Sequence, residues 1–247
     1  MNPEARKRLV FALDESDMEK AAAWVDLLKD RVGMFKIGKE AFTSLGPRIV
    51  ESVIRKGGGV FLDLKFHDIP NTAAGAARAA VKLGASIFNV HALGGKEMMK
   101  SAADAALQEA ERISVRPPLV LAVTVLTSLG DEEVRSMGFD YPASELAVRL
   151  AVLARESGLS GVVASAREID SIRKACGRDF VILTPGIRWG EAVKSDDQKR
   201  VLGPAEAIRS GADFLVVGRP ISRAKDPAAA ADAVCREIET ALSGNKN

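Results

Sequence analysis

Short apolar stretches and helix-patterned stretches alternate along the whole chain, eight times over, and no other feature limits the possible folds so strongly. Strand-like runs are expected at 9–13, 34–37, 60–65, 85–91, 119–126, 161–164, 180–184 and 214–217. Helical periodicity follows each: from a Ser16-Asp17-Met18-Glu19 capping box to about 29, then 40–56 with a break at Gly46-Pro47, 72–83 and 96–113. Later helices are expected at 131–136, 143–156, 167–176, 204–210 and 228–242. Strands separated by helices pair in parallel, and eight such units with short connections close into a barrel. An open doubly wound sheet is the alternative, but no G-x-G-x-x-G follows the first strand. The fold class expected is therefore α/β, a (β/α)8 TIM barrel, with residues 1–247 forming a single domain.

Composition narrows the function. Of 247 residues, 47% are hydrophobic and 28% charged, and the net charge of +2 comes without blocks of like charge. Such a balance, with only 5% aromatic residues, argues against nucleic acid or a membrane surface as the main partner. After Arg6-Lys7-Arg8 the apolar run is five residues, too short for a secretory core, and nothing approaches the ~20 residues of a spanning helix. Cys176 and Cys235 lie far apart in helical patterns, with neither a disulfide framework nor zinc spacing. A cytoplasmic protein is expected.

Charge collects in the third strand. Asp63 and Lys65 alternate with Leu62 and Leu64, so strand periodicity puts both on one face. Asp68 follows just beyond, before Pro70 ends the ladder and Asn71 and Thr72 offer a helix cap. Three charges in six residues are costly to bury unless they neutralise one another. A solvated edge strand with a capping Asp would give the same motif taken alone. Other strand ends, however, add Asp14, Lys36, Thr127, Arg188 and Arg219, and active sites of parallel barrels lie at that rim.

The last two strands carry a second clue. Loops at these positions frequently bind phosphate. Here Gly186 and Gly218 permit close backbone approach, while Arg188 and Arg219 bring guanidinium forks. The polar loop from Trp189 to Arg200 is long enough for a lid, or for plain surface. His67 and His91 lack metal-ligand spacing, and no G-x-S-x-G elbow appears, so neither a metal site nor a serine triad is expected.

Taken in order, these motifs resemble the orotidine 5'-phosphate decarboxylase family in its bacterial form, over nearly the whole chain. The likeness rests on Phe11-Ala12-Leu13-Asp14, Lys36-Ile37-Gly38, the run from Asp63 to Thr72, Val90-His91-Ala92, Thr184-Pro185-Gly186-Ile187-Arg188, Asp197-Gln198 and Val217-Gly218-Arg219-Pro220-Ile221. Gly203 departs from the pattern, where the family often has Thr before the proline. The resemblance implies a homodimeric barrel with shared active sites that converts orotidine 5'-monophosphate to UMP and carbon dioxide, without metal or organic cofactor. It further implies an alternating array of Lys36, Asp63, Lys65 and Asp68, the last from the other subunit, with Lys65 as proton donor. Asp14 and Lys36 would bind the ribose, Thr72 would reach in from the partner, and Thr127 would face the pyrimidine. Arg188, Gln198, Gly218 and Arg219 would hold the phosphate.

Two other readings share parts of this pattern. A magnesium-dependent keto-sugar-phosphate decarboxylase or a hexulose-phosphate synthase of the same suprafamily has the third-strand motif, but typically an acidic metal ligand on the second strand. Lys36 stands in that region here, and a cation repels magnesium. A non-catalytic nucleotide-phosphate-binding barrel would use the arginines and glycines but not four desolvated charges.

Overall fold

The computed structural model describes residues 2–187 and 202–244. Strands β1 (Leu9–Ala12), β2 (Met34–Gly38), β3 (Gly59–Phe66), β4 (Ile87–His91), β5 (Leu119–Val123), β6 (Gly161–Val163), β7 (Val181–Thr184) and β8 (Phe214–Val217) follow one another in chain order as a closed barrel. Every recorded strand pair is parallel, β8 returning to β1 with Leu9 opposite Leu215. The (β/α)8 barrel expected from the alternation is the fold found.

Between the strands lie α2 (Met18–Leu28), α3 (Lys39–Leu45) and α4 (Arg48–Arg55), α5 (Pro70–Lys82), α6 (Gly95–Arg112), α7 (Asp131–Ser136), α8 (Ala143–Glu156), α9 (Ile169–Cys176) and α10 (Pro204–Ser210), and α11 (Arg219–Ser222) and α12 (Pro227–Gly244) follow β8. The break at Gly46-Pro47 separates α3 from α4 as expected, Gly46 at φ 62 providing the turn that an L side chain resists. A helix the periodicity did not disclose, α1 (Pro3–Arg8), precedes β1. Its six residues are too few for an amphipathic stripe. Asn2 caps it by accepting from Glu4 N–H, Pro3 opens it, and Arg6, Lys7 and Arg8 close it near the negative end of its dipole.

Some ends shift. Asp17, not Ser16, caps α2, accepting from the N–H of Lys20 at 3.0 Å. Helix α5 begins at Pro70, so Asn71 and Thr72 lie within its first turn; proline suits that place because its missing N–H would go unused there. Strand β5 ends at Val123, three residues early, and just beyond it the Thr124 hydroxyl joins its N–H in bonding to the Val163 carbonyl. A 3-10 turn, Ala92–Gly94, follows β4.

Contacts group the chain into two compact units. One comprises Met1–Asp63, Leu83–Ala85 and Thr184–Asn247, the other Leu64–Lys82 and Ser86–Leu183. In the first, Phe11 of β1 packs edge-on against Phe35 of β2, ring centroids 6.2 Å apart, and against Trp24 of α2 at 5.4 Å. Each such phenylalanine, almost fully buried, contributes about 1.5–3 kcal/mol by leaving water. In the second, α5 lies along α6, where Ala73, Ala77 and Ala80 on one and Ala102, Ala106 and Ala110 on the other are buried. Buried methyls on both helices let the backbones approach closely. Phe66 at the end of β3 meets Phe88 of β4, centroids 5.9 Å apart.

Candidate active site

In the first unit, Lys36 on β2 stands between two carboxylates. Its Nζ lies 2.9 Å from Asp14 Oδ1, just past β1, and 3.8 Å from Asp63 Oδ2 on β3. The side chains of Lys36 and Asp63 are only 13% exposed, whereas that of Asp14 is 55% exposed. The Lys36–Asp14 contact, half in water, is worth at most about 1 kcal/mol to stability. The Lys36–Asp63 pair is better shielded, so deleting the lysine would leave a carboxylate poorly solvated. Gly38 makes room for this arrangement. A Cβ there would lie 2.9 Å from Lys36 Nζ and 3.5 Å from Asp14 Oδ1. The Lys-Ile-Gly sequence thus keeps one face of the strand end open for an ammonium, a role that sequence reading did not assign to Gly38.

Two glycines mark the turns after β7 and β8 in the same unit. Gly186 has φ 76, in the left-handed region that glycine occupies without penalty. Gly218 precedes α11, and a Cβ on it would crowd Ala12 of β1 at 3.1 Å. Arg219 follows it and is exposed. Arg188, Gln198 and the loop from Trp189 to Arg200 lie outside the described residues.

The second unit holds Lys65, Asp68, Thr72 and Thr127. Lys65 departs from the strand pattern: its φ is 54, left-handed for a residue with a long side chain. Regular alternation therefore does not carry through Lys65, and it is this backbone turn, not the pleat, that directs the side chain. The only other described non-glycine residue with positive φ, Ser114, sits where left-handed backbone is ordinary, just after α6 with its N–H bonded to the Glu111 carbonyl. Within a strand such a conformation costs on the order of 1–3 kcal/mol and persists only where neighbours enforce it. Here the Lys65 N–H donates to Oδ1 of Asn89, 2.8 Å away, on β4. Asn89 is wholly buried between apolar neighbours. It too was missed, although a polar residue in the middle of Ile87-Phe88-Asn89-Val90 is a readable signal.

Asp68 is exposed and turns its Oδ1 onto the N–H of Ile69, at 2.7 Å. Ile69 is 67% exposed, unusual for so large an apolar side chain. Thr72 on α5 and Thr127 after β5 are also exposed. His67 stacks on His91, ring centroids 5.3 Å apart and 20° from parallel, and His91 Nδ1 accepts the N–H of Leu93. That bond caps the 3-10 turn.

A parallel eight-stranded barrel with cations and carboxylates gathered where its strands end is the architecture of (β/α)8 proteins that work at the strand C-termini. The chain belongs to the orotidine 5'-phosphate decarboxylase / HUMPS family, whose sequence profile matches residues 7–234. It is 54% identical over 243 residues to the orotidine 5'-phosphate decarboxylase of Syntrophus aciditrophicus, covering 98% of this chain and 97% of that one. A relative of the same name from Pelobacter propionicus is 54% identical over 235 residues, 95% of this chain and 96% of its own. Among solved structures, the orotidine 5'-phosphate decarboxylase of Lactobacillus acidophilus superposes with a TM-score of 0.82 at 36% identity, covering 93% of this chain and 98% of that one. No described helix is long and apolar enough to cross a membrane.

Proposed function

We propose that this chain is a carboxy-lyase of pyrimidine nucleotide synthesis, converting orotidine 5'-monophosphate to UMP and carbon dioxide in the cytoplasm. The observation that carries the reading is Lys36 held between Asp14 and Asp63. An ammonium in that place suits a charge array and opposes a divalent cation, which separates this reading from the magnesium-dependent relatives.

In this reading Lys36, Asp63, Lys65 and the partner subunit's Asp68 alternate in sign around the reacting carbon. The C6–carboxylate bond breaks, its electron pair stays on C6, and carbon dioxide leaves. That pair has little delocalisation, so a fixed cation beside it is the strongest available stabiliser. The Lys65 ammonium passes one proton to C6, forming the C6–H bond of UMP, and regains it from solvent. No metal or organic cofactor takes part. Asp14 and Lys36 hold the ribose hydroxyls, Thr127 faces the ring, and Thr72 reaches in from the partner. Arg188, Gln198, Gly218 and Arg219 take the phosphate, whose binding energy closes the site around a distant reacting centre.

The test is direct. Orotidine 5'-monophosphate mixed with the protein should lose its orotate absorbance, at a rate unaffected by EDTA. Lys65→Ala should abolish turnover while UMP binding stays measurable. Binding of UMP by wild type without any turnover would point instead to a non-catalytic barrel, and a variant as active as wild type would remove Lys65 from its role.

A further inference from the structure

The left-handed backbone of Lys65 and the buried amide of Asn89 meet at one hydrogen bond, and the proposed chemistry uses only the first of them. The Lys65 N–H is part-buried, and such an N–H needs an acceptor. The acceptor is a side chain reaching from β4, on the residue whose backbone is in register with Leu121 of β5. Asn89 is itself fully buried, so placing its amide there carries a desolvation cost. It becomes intelligible if the bond selects a conformation that lysine would otherwise avoid.

We propose that Asn89 is a positioning residue: by accepting the Lys65 N–H it holds the Lys65 backbone left-handed and so fixes the direction in which the ammonium leaves β3. This inference rests on the role given to Lys65 above, and it adds a residue that acts through Lys65 and not on substrate. Without the clamp, Lys65 would relax toward extended geometry and its amine would move by an ångström or more, a displacement that can cost ~100-fold in rate.

Two measurements test it together. For activity, Asn89→Ala is expected to lower kcat about 100-fold while KM and UMP affinity change little, because the groups holding ribose and phosphate are untouched. For the clamp itself, thermal unfolding of Asn89→Ala is compared in Lys65→Ala and Lys65→Gly backgrounds. Glycine takes positive φ freely and has no strain to recover, whereas alanine regains it by relaxing to extended geometry, so removing the clamp should cost about 2–4 °C less in the alanine background than in the glycine one. Equal losses in both backgrounds would overturn the proposal, as would an unchanged kcat or a fall in kcat matched by an equal loss of UMP binding. Should Asn89→Ala prove too unstable to purify, Lys65→Gly/Asn89→Ala is still expected to fold, and its failure to do so would also count against the clamp. If wild type does not decarboxylate, the functional reading falls, while the unfolding comparison still decides the clamp.

Discussion

Glu168 is a carboxylate that the fold has buried, 9% exposed, just before α9. Burial raises its pKa above the usual 4.5, and the Ser165 side chain only partly opposes this by hydrogen bonding. Below about pH 4.5 the group is neutral in folded and unfolded chains alike and costs nothing. As the pH rises, the unfolded chain ionises first, so the folded state loses stability until its own carboxyl ionises, and the loss then stays constant. Glu168→Gln removes that titration. Relative to wild type, the variant should gain about 1–3 °C in melting temperature between pH 4 and pH 8. A difference that is flat with pH, or that shrinks, would mean Glu168 is better solvated than its surroundings indicate. At this scale the candidate site was only partly legible. Asp14, Lys36 and Asp63 were readable because strand parity and strand ends announce them, and they meet. The turn at Lys65 was not, since Asp63-Leu64-Lys65-Phe66 continues the alternation without a break and nothing local calls for positive φ. Its cause lies 24 residues onward, in a side chain on the next strand.

Among the elements, β6 is the shortest strand of the barrel, three residues opening on Gly161. Register places Gly161 opposite Val181, and a Cβ there would run into the Val181 carbonyl and lie 2.6 Å from its Cβ. Here the glycine is required for lack of space, not for an unusual dihedral angle. Gly161→Ala should therefore push β6 and β7 apart, costing about 1–3 kcal/mol, with a melting temperature lower by several degrees. Gly75 on α5 has open space where its Cβ would stand. Gly75→Ala is the matched control and should leave stability equal or raised, since alanine favours the helix interior. Equal effects at both sites would show that Val181 yields more easily than a backbone carbonyl should. Elements as a whole were legible wherever burial imposes a period, as in the helices at 143–156 and 204–210, whose expected bounds agree with α8 and α10. They were illegible where local hydrogen bonds decide. Asn2 caps and Pro3 opens α1, which forms from six mostly polar residues.

For the whole molecule, the proposed function requires an assembly that one chain does not display. Asp68 and Thr72 are assigned to a partner's site, and both are exposed, with the apolar side chain of Ile69 standing in water between them. The dimer proposed above would cover that side chain together with Asp68 and Thr72. If each site takes Lys65 from one subunit and Asp68 from the other, two dead proteins can complement. A hybrid of Lys65→Ala and Asp68→Ala subunits has one site lacking both groups and one site lacking neither. Half of the dimers are hybrids after random exchange, and half of their sites are intact, so activity should return to about one quarter of wild type. Subunit exchange has to be demonstrated separately, by mass or by energy transfer between labelled subunits. Exchange with no return of activity would confine each site to a single chain. Recovery well above one quarter would show that Asp68 is dispensable for the reaction, since the Asp68→Ala protein would then be working without it.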